Sequence, residues 1–536
     1  MNNNKRLYGN MAGSLFEHAG KNPDRIALHI PLEWNETAVT RYETATFGEM
    51  AKRITAYQGG LKRAGFSAGE RVIVMIPPCV DLYSIITALL ASGMVPVLVD
   101  TGMGLRRMVS AFDESKARSI ISMKKLCRLR YVIPGLWKYR CYAVDGRGIG
   151  FRHASELRDD AHETIEIAPC KRGTHGIITF TSGSTGRPKG ADRMHHRLLM
   201  QHLALRKSWP DSPGDIDMTC FPVVVFHNLA CGMTSVLAAV DFAAVGSVNP
   251  AVAVSQIREI KPTRLSAAPA FMKRLTDYMI QEKMFQTTVR SVATGGAPVR
   301  RTLCRDLRQA FPKADVRVVY GSTEAEPISG IAVDDILASE GKGFLVGKPY
   351  PFVTVKIVDL PEDPDSITGD GLDSYSVAAW DTGEIVVSGE HVLKGYVDNP
   401  EADRENMIHC GNGTIWHRTG DTGYLDKKGR IWLTGRMKDA VKHRDRFIQP
   451  YLIEKVIDEV PGVSRTALVA TGVSERPVLA VVLDTAADRL AVMNAVREAL
   501  IGEDCSDIAV REVEWMPVDR RHNSKIDRIA LKEMLA

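Results

Sequence analysis

Ile178-Thr-Phe-Thr-Ser-Gly-Ser-Thr-Gly-Arg-Pro-Lys-Gly190 is the stretch on which the fold turns. An apolar, strand-like run opens into hydroxyl and glycine residues and closes on Arg-Pro-Lys-Gly. Glycine lets backbone N–H groups approach a ligand closely. Thr181, Ser182, Ser184 and Thr185 add hydroxyl donors around Gly183 and Gly186, and Lys189 adds a fixed positive charge. By composition this is a phosphate cradle. It is not a Walker A loop, because the order G-x-x-x-x-G-K-[ST] is absent. A surface linker would not be entered through an apolar strand and left through Pro-Lys-Gly.

Outward from this stretch, short apolar runs alternate with amphipathic segments. Arg71–Ile76 and Pro96–Asp100 read as buried strands around a helix at Asp81–Ser92. Ala251–Ile260 then Arg264–Ala267, and Val299–Phe311 then Val316–Tyr320, repeat the helix-then-strand rhythm. That rhythm argues for parallel sheets with helices outside. Leu345–Asp359 and Gly383–Val387 are closer strands with Pro and Gly turns, which predicts a smaller β subdomain. Val463–Leu483 holds two strands flanked by helices, which predicts a small α/β tail.

Three further segments carry chemistry. Tyr320-Gly321-Ser322-Thr323-Glu324-Ala-Glu326 follows a strand. A carboxylate there, amid glycine and hydroxyls, suits a hard cation such as Mg²⁺, and an ordinary β–α turn is the equal alternative. Gly295-Gly296-Ala297-Pro298 presses flat backbone against a base or simply turns the chain. In Trp416-His-Arg-Thr-Gly-Asp421, Asp421 is a bidentate acceptor for a ribose diol. Arg436, in Gly435-Arg436-Met-Lys438, can pair with phosphate or ribose oxygens. For both, the competing reading is a salt-bridged turn. Lys525, in Arg521-His-Asn-Ser-Lys525, reads by physics alone as a solvated surface lysine.

Composition narrows the class. The 536 residues are 45% hydrophobic and 25% charged, the balance of a globular protein of about two to four packed units. A net charge of +5 over this length gives no argument for nucleic acid. The nine cysteines include no C-x-x-C pair, which disfavours a zinc ribbon or a disulfide framework and favours a reducing, cytoplasmic setting. The N-terminus leads into no apolar signal segment. The most apolar stretch, Met218–Val248, is broken by Pro222, His227, Asn228, Gly232 and Asp241, so it reads as core rather than as a bilayer span of about 20 residues. The basic run Lys116–Arg140 reads as a solvated helix face.

Taken together and in this order, the motifs resemble those of the adenylate-forming superfamily: acyl-CoA synthetases, peptide-synthetase adenylation domains and luciferases. The resemblance covers about residues 10–535. It implies an α/β fold: a large N-terminal domain of parallel sheets with helices plus a small β subdomain (1–435), and a small mobile α+β C-terminal domain (436–536). It implies that Thr181–Lys189 is the phosphate loop, with Thr185 and Glu324 at Mg²⁺. Gly295–Pro298 and Tyr320 then flank adenine, followed by Gly321, Ser322 and Thr323. Asp421 holds the ribose beside Arg436, and Lys438 is the hinge. Lys525 is implied to be the catalytic lysine reaching the α-phosphate and the substrate carboxylate. His227 matches a position near the acyl site, although Pro222–Phe226 is longer than the family pattern.

The implied reaction is ATP- and Mg²⁺-dependent activation of a carboxylic acid to an acyl-adenylate. In thioester-forming members a Lys-x-x-Gly loop then lines the pantetheine tunnel. Here it reads Lys442-His-Arg-Asp445, which counts against transfer to CoA. Val97–Gly104, Tyr320–Pro327 and Pro517–Lys525 look like the olefin β-lactone synthetases, in which a β-hydroxy acid closes on itself and needs no external thiol. The alternatives are a fatty acyl-CoA ligase, a ligase loading a carrier protein, and a catalytically silent nucleotide-binding scaffold. The expected partners are a small-molecule carboxylic acid and, for a pathway role, neighbouring acyl or natural-product enzymes.

Overall fold

The computed structural model describes residues 9–181, 187–361, 367, 369–471, 476–484, 487–519 and 525–536. Two large sheets dominate. The first contains seven strands, ordered Phe151–His153, Arg140–Ala143, Ser119–Ser122, Arg71–Met75, Val95–Val99, His175–Thr181 (β1) and Lys189–Met194 (β2). Its neighbouring strands pair in parallel except β1 and β2, which are antiparallel with Thr181 opposite Lys189. The phosphate-cradle stretch therefore joins the C-terminal end of the last parallel strand to an antiparallel return, at the end of the sheet where α/β folds bind ligands.

β2 runs into the helix His195–Ser208 (α1), and further on Val224–Cys231 forms a short helix (α2). α2 ends at Gly232 in the left-handed conformation. The apolar stretch Met218–Val248 thus folds as a strand, α2 and the strand Thr234–Leu237, all largely buried. Among the described residues, no helix is long and apolar enough to cross a membrane.

The second sheet has fourteen strands. Its parallel centre includes Arg264–Ala267, Ser291–Gly295 and Asp315–Tyr320 (β3). Its far end is antiparallel and includes Ile415–Leu425 (β4) and Ile431–Arg436 (β5), with the helix Pro400–Asn406 (α3) packed beside β4. The predicted β subdomain is present as strands, but it is continuous with the large sheet. Ser329 pairs with Pro349 and Gly330 with Lys348, so the ladder runs through the junction. Two registered pairs supply that link, too little to mark a sequence.

The chain leaves β5 at Arg436. Beyond it lie the hairpin Val441–His443/Arg446–Ile448, the helix Pro450–Asp458 (α4), and a three-stranded sheet of Val463–Thr471, Arg476–Leu483 and Ala509–Glu512. Val441, Ile453, Leu468, Leu479 and Val496 form a core of their own here. Contacts back to the preceding part include ion pairs, Arg300 to Asp458 at 2.8 Å and Arg301 to Glu459 at 3.3 Å, and an edge-on contact of the Tyr451 ring with Phe344.

In the basic run Lys116–Arg140 the residues Lys116, Arg118, Lys125, Arg128 and Lys138 are exposed, as read, and Arg130 is the exception. Arg130 is buried, donates to the carbonyls of Leu136, Trp137 and Tyr139, and stacks on the Trp137 ring at 4.5 Å. Arg140 pairs with the Glu70 carboxylate, whose side chain is 6% exposed. A guanidinium with several carbonyl acceptors can be buried where a lone charge cannot.

Candidate active site

The hairpin β1–β2, the turn after β3 and the segment Leu393–Glu405 meet in one corner. Arg193 on β2 donates to the Thr323 carbonyl at 2.7 Å. The Leu393 N–H donates to the Glu324 carbonyl at 2.7 Å, and the Val397 N–H to the Gly190 carbonyl at 2.8 Å. Three segments distant in sequence are thereby held together, by one guanidinium–carbonyl bond and two main-chain bonds.

Glu324 lies inside this corner. The Tyr396 hydroxyl donates to its carboxylate at 3.1 Å, and its own N–H donates to the Ser322 hydroxyl at 3.2 Å. Burial pushes the carboxyl up, but nearby His417, the bond from Tyr396 and the charge of Arg193 outweigh it, and the group is held below its ordinary range. An ionised, half-buried carboxylate is the donor chemistry of a hard divalent cation, so Glu324 fits Mg²⁺. Burial, and then Glu324 itself, pushes the Tyr396 phenol up, so Tyr396 stays a donor.

Lys189 turns inward. Its ammonium pairs with Glu405 on α3 at 3.0 Å, with the lysine side chain 10% exposed. The charge expected for phosphate is thus held within the protein, where it ties the hairpin to α3. Thr181 ends β1 directly opposite it. Ser182, Gly183, Ser184, Thr185 and Gly186 lie outside the described residues.

A second group forms across β3, β4 and β5. Tyr320 is buried, and its hydroxyl donates to Asp421 at 2.9 Å. Arg436, opposite Asp421 in the β4–β5 ladder, reaches the other carboxylate oxygen at 3.0 Å. Asp421 raises the Arg436 guanidinium further. A carboxylate has about four lone-pair sites, so both oxygens keep acceptor capacity for a diol. Gly295 ends its strand opposite Val319, and a Cβ there would stand 2.3 Å from the Val319 carbonyl oxygen. Gly296 has φ +85°. Both glycines are required by the backbone path that carries Ala297 and Pro298 past the end of β3. Gly321 and Ser322 sit in the turn that follows, where Ser322 and Ala325 exchange main-chain hydrogen bonds.

Lys525 is carried on the C-terminal part. It is exposed, its N–H donates to the Asp519 carboxylate at 2.8 Å, and its carbonyl accepts from the Asp519 N–H at 2.8 Å. Lys438 lies in the short turn Met437–Asp439, whose Asp439 faces Arg528 at 3.4 Å. In the Lys442–Asp445 segment, the left-handed residue of the hairpin turn is Arg444 (φ +55°), braced by Asp504 and Asp507. Asp445 is exposed beside it. His227 is buried on α2, with its Nδ1 3.1 Å from Nδ1 of His202. No motif reading found Tyr396 or Glu405, although Gly395-Tyr396 and the capped start Asn399-Pro400 were a readable signal.

Residues 15–397 match the family described as AMP-binding enzyme. The chain belongs to that family. It is an adenylate-forming ligase. It is 30% identical to an olefin beta-lactone synthetase of Xanthomonas campestris pv. campestris, covering 97% of this chain and 96% of that one. The corresponding synthetase of Stenotrophomonas maltophilia is 29% identical over the same shares. Among solved structures, the amide bond synthetase McbA of Marinactinospora thermotolerans has a similar fold, with a TM-score of 0.80 over 98% of this chain and 99% of that one, at 19% identity.

Proposed function

We propose that this ligase activates a β-hydroxy fatty acid and closes it to a β-lactone. In the first step a carboxylate oxygen of the acid attacks the α-phosphorus of ATP, and pyrophosphate leaves. In the second the substrate's own β-hydroxyl oxygen attacks the activated carbonyl, AMP leaves, and the hydroxyl proton passes to solvent. The observation that carries the reading is end-to-end similarity to two olefin beta-lactone synthetases.

Each step asks something of this chain's residues. Both reactants of the first step are anions, so negative charge must be neutralised where it builds up. Lys525 takes that role at the α-phosphate and the acid carboxylate. Bound Mg²⁺ supplies a further counter-charge, and Glu324 with Thr185 would hold it. Asp421 accepts the ribose hydroxyls, with Tyr320 and Arg436 fixing its orientation. Gly295–Pro298 and Tyr320 flank the base, Ser182–Gly186 with Thr181 bind the phosphates, and Gly321–Thr323 belong to the nucleotide site in the turn after β3. Lys438 is the hinge on which residues 436–536 rotate, and His227 lies near the acyl group. Binding acid and nucleotide side by side supplies the orientation term.

Steady-state AMP release without CoA tests the reading. With a β-hydroxy acid, turnover should continue. With the same acid lacking the hydroxyl, release should stop at a bound acyl-adenylate. Continuous AMP release from both acids only when CoA is added would replace lactone closure with thioester formation.

A further inference from the structure

We infer that His202, His227 and Cys231 form a binding site for a borderline-soft divalent cation of the Zn²⁺ type, joining α1 to α2. One ligating atom from each residue lies within 4.8 Å of the other two. His227 and Cys231 are four residues apart on α2, a spacing that puts both side chains on one helix face. His202 comes from α1, the helix that follows the phosphate hairpin. The two Nδ1 atoms are 3.1 Å apart, and Cys231 Sγ is 3.6 Å from His227 Nε2. A tetrahedral zinc with Zn–N bonds of about 2.0–2.1 Å needs nitrogen ligands about 3.3 Å apart. His202 meets His227 at Nδ1 and Cys231 meets it at Nε2, so the metal takes one of these nitrogens and the side chain on the other edge turns to reach it.

The surroundings suit the ligand forms. Both histidines are buried, an environment that disfavours the charged imidazolium and suits the neutral imidazole that binds metal. Cys231 is half-buried, and as a thiolate ligand it gives up its proton to solvent on binding. Arg206, which bonds Asp211 at 2.8 Å, and Arg264 bring positive charge near. The thiolate formed on binding offsets that charge. Three protein ligands leave a fourth position for water, the pattern of a site that is not closed. The cation joins helices attached to different sheets, because α1 follows β2 and α2 lies between strands of the larger sheet.

The site stands independently of the lactone reading, since metal binding needs neither ATP nor acid. The test uses the purified full chain titrated with Co²⁺ and with Zn²⁺. One equivalent of Co²⁺ should bind and give a tetrahedral visible spectrum with a thiolate-to-cobalt charge-transfer band. Cys231→Ser should abolish that band, and His202→Ala should weaken binding by about tenfold or more. In wild type, saturating Zn²⁺ should protect Cys231 from alkylation, read by peptide mass spectrometry. Cys79 and Cys410, also partly exposed, should keep their reactivity. This last arm needs no variant to fold. Absence of stoichiometric metal, binding that both substitutions leave unchanged, or alkylation of Cys231 unaffected by Zn²⁺ would each overturn the site.

Discussion

Asp421 and Lys525 stand in regions built on different terms. Asp421 belongs to a network drawn from three strands of one sheet, each carboxylate oxygen already engaged by Tyr320 or Arg436. Lys525 sits exposed in a loop closed by Asp519, on a part with a core of its own. The first region is preorganised before any ligand arrives. The second carries a charge whose usefulness depends on where its whole part is docked. In the proposed reaction, binding specificity then belongs to the first region and transition-state charge to the second.

The largest effect should come from the second. Lys525→Ala is expected to slow ATP–pyrophosphate exchange by about 10²–10³-fold, with ATP affinity by calorimetry close to wild type. Normal exchange would separate Lys525 from the chemistry. Asp421→Asn should act the other way round, raising the KM for ATP by about 10–100-fold, since hydrogen bonds to charged groups contribute about 1.5–3 kcal/mol. An effect on the maximal rate alone would blur the division between the regions.

Smaller effects probe how each region is held. Lys189→Met should lower stability to denaturant by about 1–3 kcal/mol, because it strands Glu405 beside a largely buried hairpin. Glu405→Gln should cost a similar amount, and the double variant less than their sum. Unchanged stability with weakened ATP binding would return the Lys189 charge to phosphate. The docking pair titrates: burial first, opposed by Arg300, leaves Asp458 pushed up to about 6. A carboxyl raised in the folded state binds its proton more tightly there than in the unfolded chain. Relative to Asp458→Asn, wild type should therefore lose stability as pH rises from about 4 to 6, by at most about 1.4 kcal/mol per pH unit, and run level above. A flat difference across that window would mean Asp458 is solvated.

The sequence was most legible where structure is local. Strands such as Arg264–Ala267 and helices such as Pro250–Ile260 fall within a residue of their expected bounds, because buried apolar runs and a capped helix start are short-range signals. The pairing of Asp421 with Arg436 was readable, because the two neighbour each other across a hairpin. Lys189–Glu405 was not, because its partners are 216 residues apart. Arg130 was misread for a related reason: its acceptors are main-chain carbonyls, which leave no side-chain pattern. The join between the two halves of the large sheet rests on two backbone pairs and has no composition at all.

Product analysis by mass spectrometry tests the central claim most directly. The chain would be incubated with ATP, Mg²⁺ and a panel of plain and β-hydroxy fatty acids, with and without CoA. The account predicts a product lighter than the β-hydroxy acid by one water, formed together with AMP in the absence of CoA. An acyl-CoA appearing only when CoA is present, with no dehydrated product, would contradict it.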